Sequence, residues 1–225
     1  MDIDEQPNIL INVFQFPLLT EDQCENITKI IFNNKDKYPH YGSMQKNTVD
    51  ITTLLADFIQ EYIPLITSKI NDVYDFGKKI PYFIYTAHSI LYKANGVGEK
   101  ALSIHTDDSD ITVNIPIHMK DLLGSELRFL GSTPYGNSIY KRHFEKNRIK
   151  DPIAVNSISH KLGSYVIHRG DHPHETSAIY NGERIALVFW LKRFVITPPA
   201  PPPRIYNFAG KGDDSENPSP ENGRI

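Results

Sequence analysis

The chain has 225 residues, 40% of them hydrophobic and 23% charged, which is enough to bury one sizeable core. Its 24 basic and 27 acidic side chains leave a formal charge of −3, so there is no electrostatic case for nucleic acid or an anionic membrane as the main partner. A single cysteine, Cys24, excludes an internal disulfide and any multi-cysteine zinc or iron–sulfur site; with an acidic start and no long apolar run, a soluble cytoplasmic protein is expected.

A first strand is expected near Ile9–Phe14. Thr20, with Gln23 three positions on, has the form of a capping box, and Cys24, Ile27, Ile30 and Ile31 then recur at helical spacing. Ile51, Leu54, Leu55, Phe58, Ile59, Tyr62 and Ile63 make a second, broader helical face, which Pro64 should kink or end. A further short helix through Ile66, Ile70 and Val73 would stop at Gly77. From residue 80 the pattern changes to short β-branched and aromatic runs between Gly, Asn, Asp and Pro clusters: Tyr82–Tyr85, Ser89–Tyr92, Ile111–Ile117, Glu126–Leu130, Tyr165–His168 and Ile185–Lys192. Helices followed by antiparallel-type strands predict an α+β protein whose helices pack outside a two-sheet β-sandwich or jelly roll.

Two segments stand apart. Gly131 to His160 carries Tyr135, Tyr140, Lys141, Arg142, His143, Lys146, Arg148 and Lys150, and reads either as a basic, aromatic substrate lid or as a solvated insertion. Seven of the 16 prolines fall between Pro198 and Pro220. Proline lacks the amide donor, so residues 197–225 are read as a polyproline II arm running into a disordered tail, passive unless a proline-binding partner docks on it. The folded domain is then 1–196, with helices over about 20–76 and the β core over about 80–193.

The chemistry-bearing residues gather at strand ends. His105-Thr106-Asp107 precedes the Ile111 strand, and His168, His172 and His174 precede the Ile185 strand. A His-x-Asp pair at a strand edge puts an imidazole and a carboxylate on one face, and a distant second histidine completes a two-histidine, one-carboxylate set suited to Fe(II) with open positions. Alone the pair is weak, because chance supplies one in such a chain about as often as not. Arg184 strengthens it. It lies ten residues beyond His174 at the mouth of the apolar run Ala186-Leu187-Val188-Phe189-Trp190, and a cation there needs an anionic partner, most naturally a carboxylate gripped by the guanidinium fork. The Asp107, Asp108, Asp110 group lacks the glycine and terminal glutamate of an EF-hand, and no serine sits in a nucleophile-elbow context.

This combination resembles the 2-oxoglutarate- and Fe(II)-dependent dioxygenases, specifically the prolyl-4-hydroxylase-like branch, over about residues 82–193. The resemblance implies a double-stranded β-helix (jelly-roll) core with flanking N-terminal helices. It also implies Fe(II) held by His105, Asp107 and His174, with no catalytic side chain beyond the metal ligands, and Arg184 on the distal carboxylate of 2-oxoglutarate. Trp190 and Tyr92 would line the cosubstrate pocket, with Tyr85 a second candidate for the tyrosine. His172 is the competing distal ligand; His168 reads as supporting or structural, and His40, His88, His118, His143 and His160 as surface or structural.

The implied reaction consumes O2, with ascorbate as a supporting reductant. It couples 2-oxoglutarate breakdown to succinate and CO2 with hydroxylation of an unactivated C–H bond. The substrate would be a prolyl or other amino-acid residue of a protein or peptide, or else a small molecule. Two positions depart from the pattern. Gly124-Ser125-Glu126-Leu127 stands where relatives commonly have Gly-Gly-Glu-Leu, which is tolerable unless φ is positive at the serine. Val188 stands where some relatives place a hydroxyl residue. The competing readings are a non-catalytic β-sandwich scaffold that retains the metal site and docks partners through its proline-rich tail, and a cupin-type iron or zinc enzyme with a richer His/Glu ligand set and no anchoring arginine.

Overall fold

The computed structural model describes residues 12–36, 47–75, 78–130 and 155–194. Its first helix forms where the capping box sits. Thr20 Oγ1 accepts from Gln23 N at 3.3 Å and Gln23 Oε1 accepts from Thr20 N at 2.9 Å, opening α1 (Glu21–Asn34). Its buried stripe is Cys24, Ile27, Thr28 and Ile31, while Ile30 faces solvent.

The second helix departs from expectation. α2 (Ala56–Tyr74) runs unbroken through Pro64, replacing the two helices read from the sequence. The buried positions Phe58, Ile63, Ile66 and Ile70 stay in phase across the proline, so burying one continuous stripe outweighs the lost backbone bond. The helix also starts later than its apolar pattern. Thr48–Asp50 pairs as a short edge strand, β2, with Ile90–His88, and this delivers Ile51 and Leu55 to the core ahead of the helix.

The remaining strands are β1 (Val13–Pro17), β3 (Tyr82–Lys93), β4 (Leu102–His105), β5 (Ile111–Gly124), β6 (Leu127–Leu130), β7 (Val155–Ile158), β8 (Ser164–Arg169), β9 (His174–Thr176) and β10 (Ile179–Arg193). The two runs expected at 82–85 and 89–92 are one strand. β10 accompanies it throughout, and the irregularity falls between Trp190 and Leu191 as a register shift rather than a break. β2, β4, β7 and β9 carried too few residues to be read alone. The tail from residue 195, the bulk of the 131–160 segment, and the first residues of the expected Ile9–Phe14 strand lie outside the described residues.

All strand pairs between these elements are antiparallel, in a six-stranded sheet β1-β8-β5-β10-β3-β2 facing a four-stranded sheet β4-β9-β6-β7. Period-two alternation divides the labour. Ile111, Val113, Ile115 and Ile117 of β5 and Ile185, Leu187, Phe189 and Leu191 of β10 pack with the helices, Phe58 stacking on Phe189 at 6.0 Å. The alternate residues Thr112, Asn114, Val188 and Trp190 line a pocket between the sheets. Among the described residues no helix is long and apolar enough to cross a membrane.

Candidate active site

His105 ends β4 and His174 opens β9, and the two are direct cross-strand partners. Their rings lie 4.3 Å apart between centroids. Asp107 follows two residues after β4, where its N–H donates to Gly170 O at 2.8 Å. That approach demands glycine at 170, since a Cβ there would collide with Ser109 O. Asp107 Oδ1 lies 3.4 Å from His105 Nε2, Oδ2 lies 3.5 Å from His174 Nε2, and one donor atom from each of the three residues falls within 4.8 Å of the others.

The orientation of this trio is fixed from behind. His105 Nδ1 meets Ser103 O at 2.7 Å and His174 Nδ1 meets His172 O at 2.8 Å, so each ring donates from Nδ1 and keeps the Nε2 lone pair for the centre. Thr112 Oγ1 donates to Asp107 Oδ2 at 2.5 Å and lies 2.8 Å from Ser109 Oγ. Phe129 packs against His168, His172 and His174. Burial alone would raise the Asp107 carboxyl, but the His174 and His105 imidazoles beside it and the Thr112 hydroxyl hold it well below the usual carboxylate range. The N,N,O set with fixed tautomers fits a divalent first-row metal such as Fe(II).

Arg184 lies on β10 opposite Tyr92 of β3 and is fully buried. Its Cζ sits 4.3 Å from the Tyr92 ring centroid, so it meets the ring face; the Tyr92 hydroxyl instead pairs with Thr176 Oγ1 at 3.3 Å. Arg184 Nε donates to Ser125 Oγ at 3.1 Å, and among the described residues Nη1 and Nη2 have no hydrogen-bond partner. Burial pushes the guanidinium down to about 10, offset in part by Tyr92, so it remains a cation. A buried cation with two free donor groups calls for an anion.

The trio opens on a pocket lined by Tyr92, His105, Asp107, Asn114, His174 and Trp190 among others, and Tyr92 is the lining residue that touches Arg184. The structure brings Tyr92, not Tyr85, against Arg184; Tyr85 is exposed beneath the Lys192 ammonium. Trp190 stands edge-on to His88 at 6.1 Å, so His88 belongs to the pocket rather than the surface. His172 and His168 are buried beside Phe129 outside the trio. His118 pairs with Glu183 at 3.2 Å. His40 and His143 lie outside the described residues. Thr112 and Ser125 were not singled out from sequence as site residues. For Thr112 a signal existed, because Ile111-Thr112-Val113-Asn114-Ile115 alternates apolar with polar, and the polar positions face the pocket.

Imidazoles kept neutral by desolvation set an acid limit on the metal-free protein. Burial, helped by His174, pushes His168 down to about 3, and burial, helped by Arg184, pushes His160 down to about 3. Between those values and about 6.5 the unfolded chain binds protons that the folded chain refuses. The stability is therefore present above pH about 6.5 and lost as pH falls toward 3, at up to about 1.4 kcal/mol per pH unit for each group. Melting temperatures between pH 7 and pH 5 should fall, and His160→Gln should flatten the slope; a flat wild-type profile would contradict the assignment.

No family model and no curated protein sequence matches the chain. Solved structures match its fold. A 2OG-Fe(II) oxygenase family oxidoreductase from Burkholderia pseudomallei superposes with a TM-score of 0.54 at 14% identity, covering 80% of this chain and 84% of that one. HygX from Streptomyces hygroscopicus, solved with nickel and 2-oxoglutarate, gives 0.56 at 9% identity over 80% and 82%. A Pseudomonas putida prolyl-4-hydroxylase gives 0.51 at 14% identity over 82% and 94%. The fold is thus the double-stranded β-helix of the 2-oxoglutarate/Fe(II) oxygenases, with two N-terminal helices on the larger sheet.

Proposed function

We propose that this chain is an Fe(II)- and 2-oxoglutarate-dependent dioxygenase that hydroxylates an unactivated C–H bond, releasing succinate and CO2. The observation that carries this reading is the buried Arg184 guanidinium, both Nη groups unpartnered among the described residues, beside a pocket that holds a two-histidine, one-carboxylate donor set. A scaffold that kept only a metal site would have no use for an uncompensated cation in its interior.

His105 and His174 hold their Nε2 lone pairs toward one point by donating Nδ1–H to main-chain carbonyls, and Asp107 supplies the set's one negative charge. Iron bound there would supply the oxygen activation and the oxidising power for C–H cleavage. Arg184 would take the distal carboxylate of 2-oxoglutarate end-on through Nη1 and Nη2, with the Tyr92 ring against its face, giving the cosubstrate one orientation. Trp190, His88 and Val188 would close the apolar side of the pocket and keep water from the reacting atoms. Ascorbate would serve only to keep the metal reduced.

As substrate we favour a prolyl or other amino-acid residue in a protein or peptide over a small molecule, since a prolyl-4-hydroxylase is among the proteins of similar fold. We place the protein in the cytoplasm, where its lone Cys24, buried and pushed up to about 11 by burial and Glu21, would stay a thiol. The domain is taken as residues 1–196, with 197–225 a separate tail. Purified protein with Fe(II), 2-oxoglutarate and ascorbate should form succinate, faster with a proline-containing peptide, whose mass should rise by one oxygen atom. No succinate under any of these conditions would overturn the reading.

A further inference from the structure

Ser125 is placed against its own backbone preference. It follows Gly124, at φ +83°, and itself adopts φ +59°. The other non-glycine residues with positive φ among those described are Asn12 and Asp121, types whose short polar side chains tolerate that region. A serine gains nothing there locally, and glycine would adopt the same backbone without strain. Yet Ser125 is fully buried, and all its polar groups are engaged. Its N–H donates to Ala178 O at 3.0 Å, its carbonyl accepts from His160 Nε2 at 2.8 Å, and its hydroxyl accepts from Arg184 Nε at 3.1 Å. Strain that persists at a buried polar contact marks a place where the side chain is needed.

The Arg184 contact shows what the hydroxyl does. A guanidinium offers a carboxylate two bidentate edges, one formed by Nε with an Nη and one formed by Nη1 with Nη2. Ser125 Oγ occupies Nε, and the Tyr92 ring lies against the guanidinium face at 4.3 Å. Plane and in-plane rotation are then both fixed, and only the Nη1/Nη2 edge remains, both of its nitrogens without a partner among the described residues. Val188, on the same strand, has no hydroxyl to contribute.

We infer that Ser125 is a positioning residue for 2-oxoglutarate: its hydroxyl holds Arg184 in the one rotation that presents the end-on guanidinium edge to the distal carboxylate. The inference rests on the functional reading above, and its test separates the two. Full-length protein loaded anaerobically with Fe(II) is titrated calorimetrically with 2-oxoglutarate, as wild type, Ser125→Gly and Ser125→Ala, and each is melted without cosubstrate. Ser125→Gly should weaken 2-oxoglutarate binding about tenfold, because a guanidinium no longer held in rotation must be ordered on binding, while Fe(II) affinity is unchanged. Its melting temperature should change little, because the relief at φ +59° offsets the lost contact to Arg184 Nε. Ser125→Ala should lose the same affinity but melt below Ser125→Gly. A purely structural serine would move affinity and melting temperature down together. Ser125→Gly binding within twofold of wild type, or an affinity loss matched by a fall in melting temperature, would overturn the assignment of Ser125 alone. Failure of wild type to bind 2-oxoglutarate would overturn the functional reading and this inference with it.

Discussion

Asp107→Ala and His174→Ala are each expected to cut 2-oxoglutarate-dependent succinate formation to below about a hundredth of the wild-type rate, since even groups that only support metal ligands are worth 10- to 100-fold. Asp107 carries the only charge among three donors lying within 4.8 Å, so its loss removes the attraction for a dication as well as a ligand. The fold should survive. Asp107 accepts a side-chain hydrogen bond from the Thr112 hydroxyl, and losing the carboxylate with that contact shifts stability by about 1–2 kcal/mol. His172→Ala should keep substantial activity. What His172 gives to His174 is its main-chain carbonyl, 2.8 Å from Nδ1, which alanine retains. Succinate assays beside circular dichroism of the metal-free variants check all three. An inactive His172→Ala with an active His174→Ala would exchange the two histidines' roles.

The parts of this fold that could be read from the chain are those set by local chemistry. Thr20 and Gln23 specify a helix start because both halves of their reciprocal bond lie within four residues. The long strands announce themselves by alternation, Ile185 to Leu191 with every second residue turned to the helices. Pro64 misled because its rule is local, whereas the stripe it interrupts is buried by a sheet formed from residues twenty and more positions on. β9, three residues long, exists only because β4 and β6 flank it.

The site divides the same way. His105 and Asp107 are visible as a pair because a single residue separates them, and Arg184 is visible as a charge in an apolar run. The pairing of His105 with His174 is a matter of strand register across 69 positions, and no local pattern encodes it. Nor does sequence alone give the φ of Ser125. The condition under which a serine there ceases to be neutral is the one the structure meets, and the Arg184 contact becomes intelligible only with that dihedral in hand.

Arg184 should show opposite signs in stability and function. In the cosubstrate-free protein it is a fully buried cation whose Nη groups are unpartnered among the described residues, held by one serine hydroxyl and one ring face. Replacing such a charge by an apolar side chain of similar length relieves its desolvation, and in other proteins exchanging buried ionic groups for packed apolar ones has stabilised by about 1–4 kcal/mol. Arg184→Met is therefore expected to melt higher than wild type. The same change removes two charge-assisted hydrogen bonds to a carboxylate, about 2–4 kcal/mol, or roughly 30- to 1,000-fold in 2-oxoglutarate affinity. Arg184→Lys keeps the charge but loses the planar fork, so its KM for 2-oxoglutarate should rise while Fe(II) affinity stays level. Thermal melting with and without 2-oxoglutarate separates these effects, because wild type should gain stability from the cosubstrate and Arg184→Met should gain none. An unchanged KM for 2-oxoglutarate in Arg184→Ala would remove Arg184 from the site. If Arg184→Met instead melted well below wild type and still bound 2-oxoglutarate, the guanidinium would be serving the fold rather than an anion.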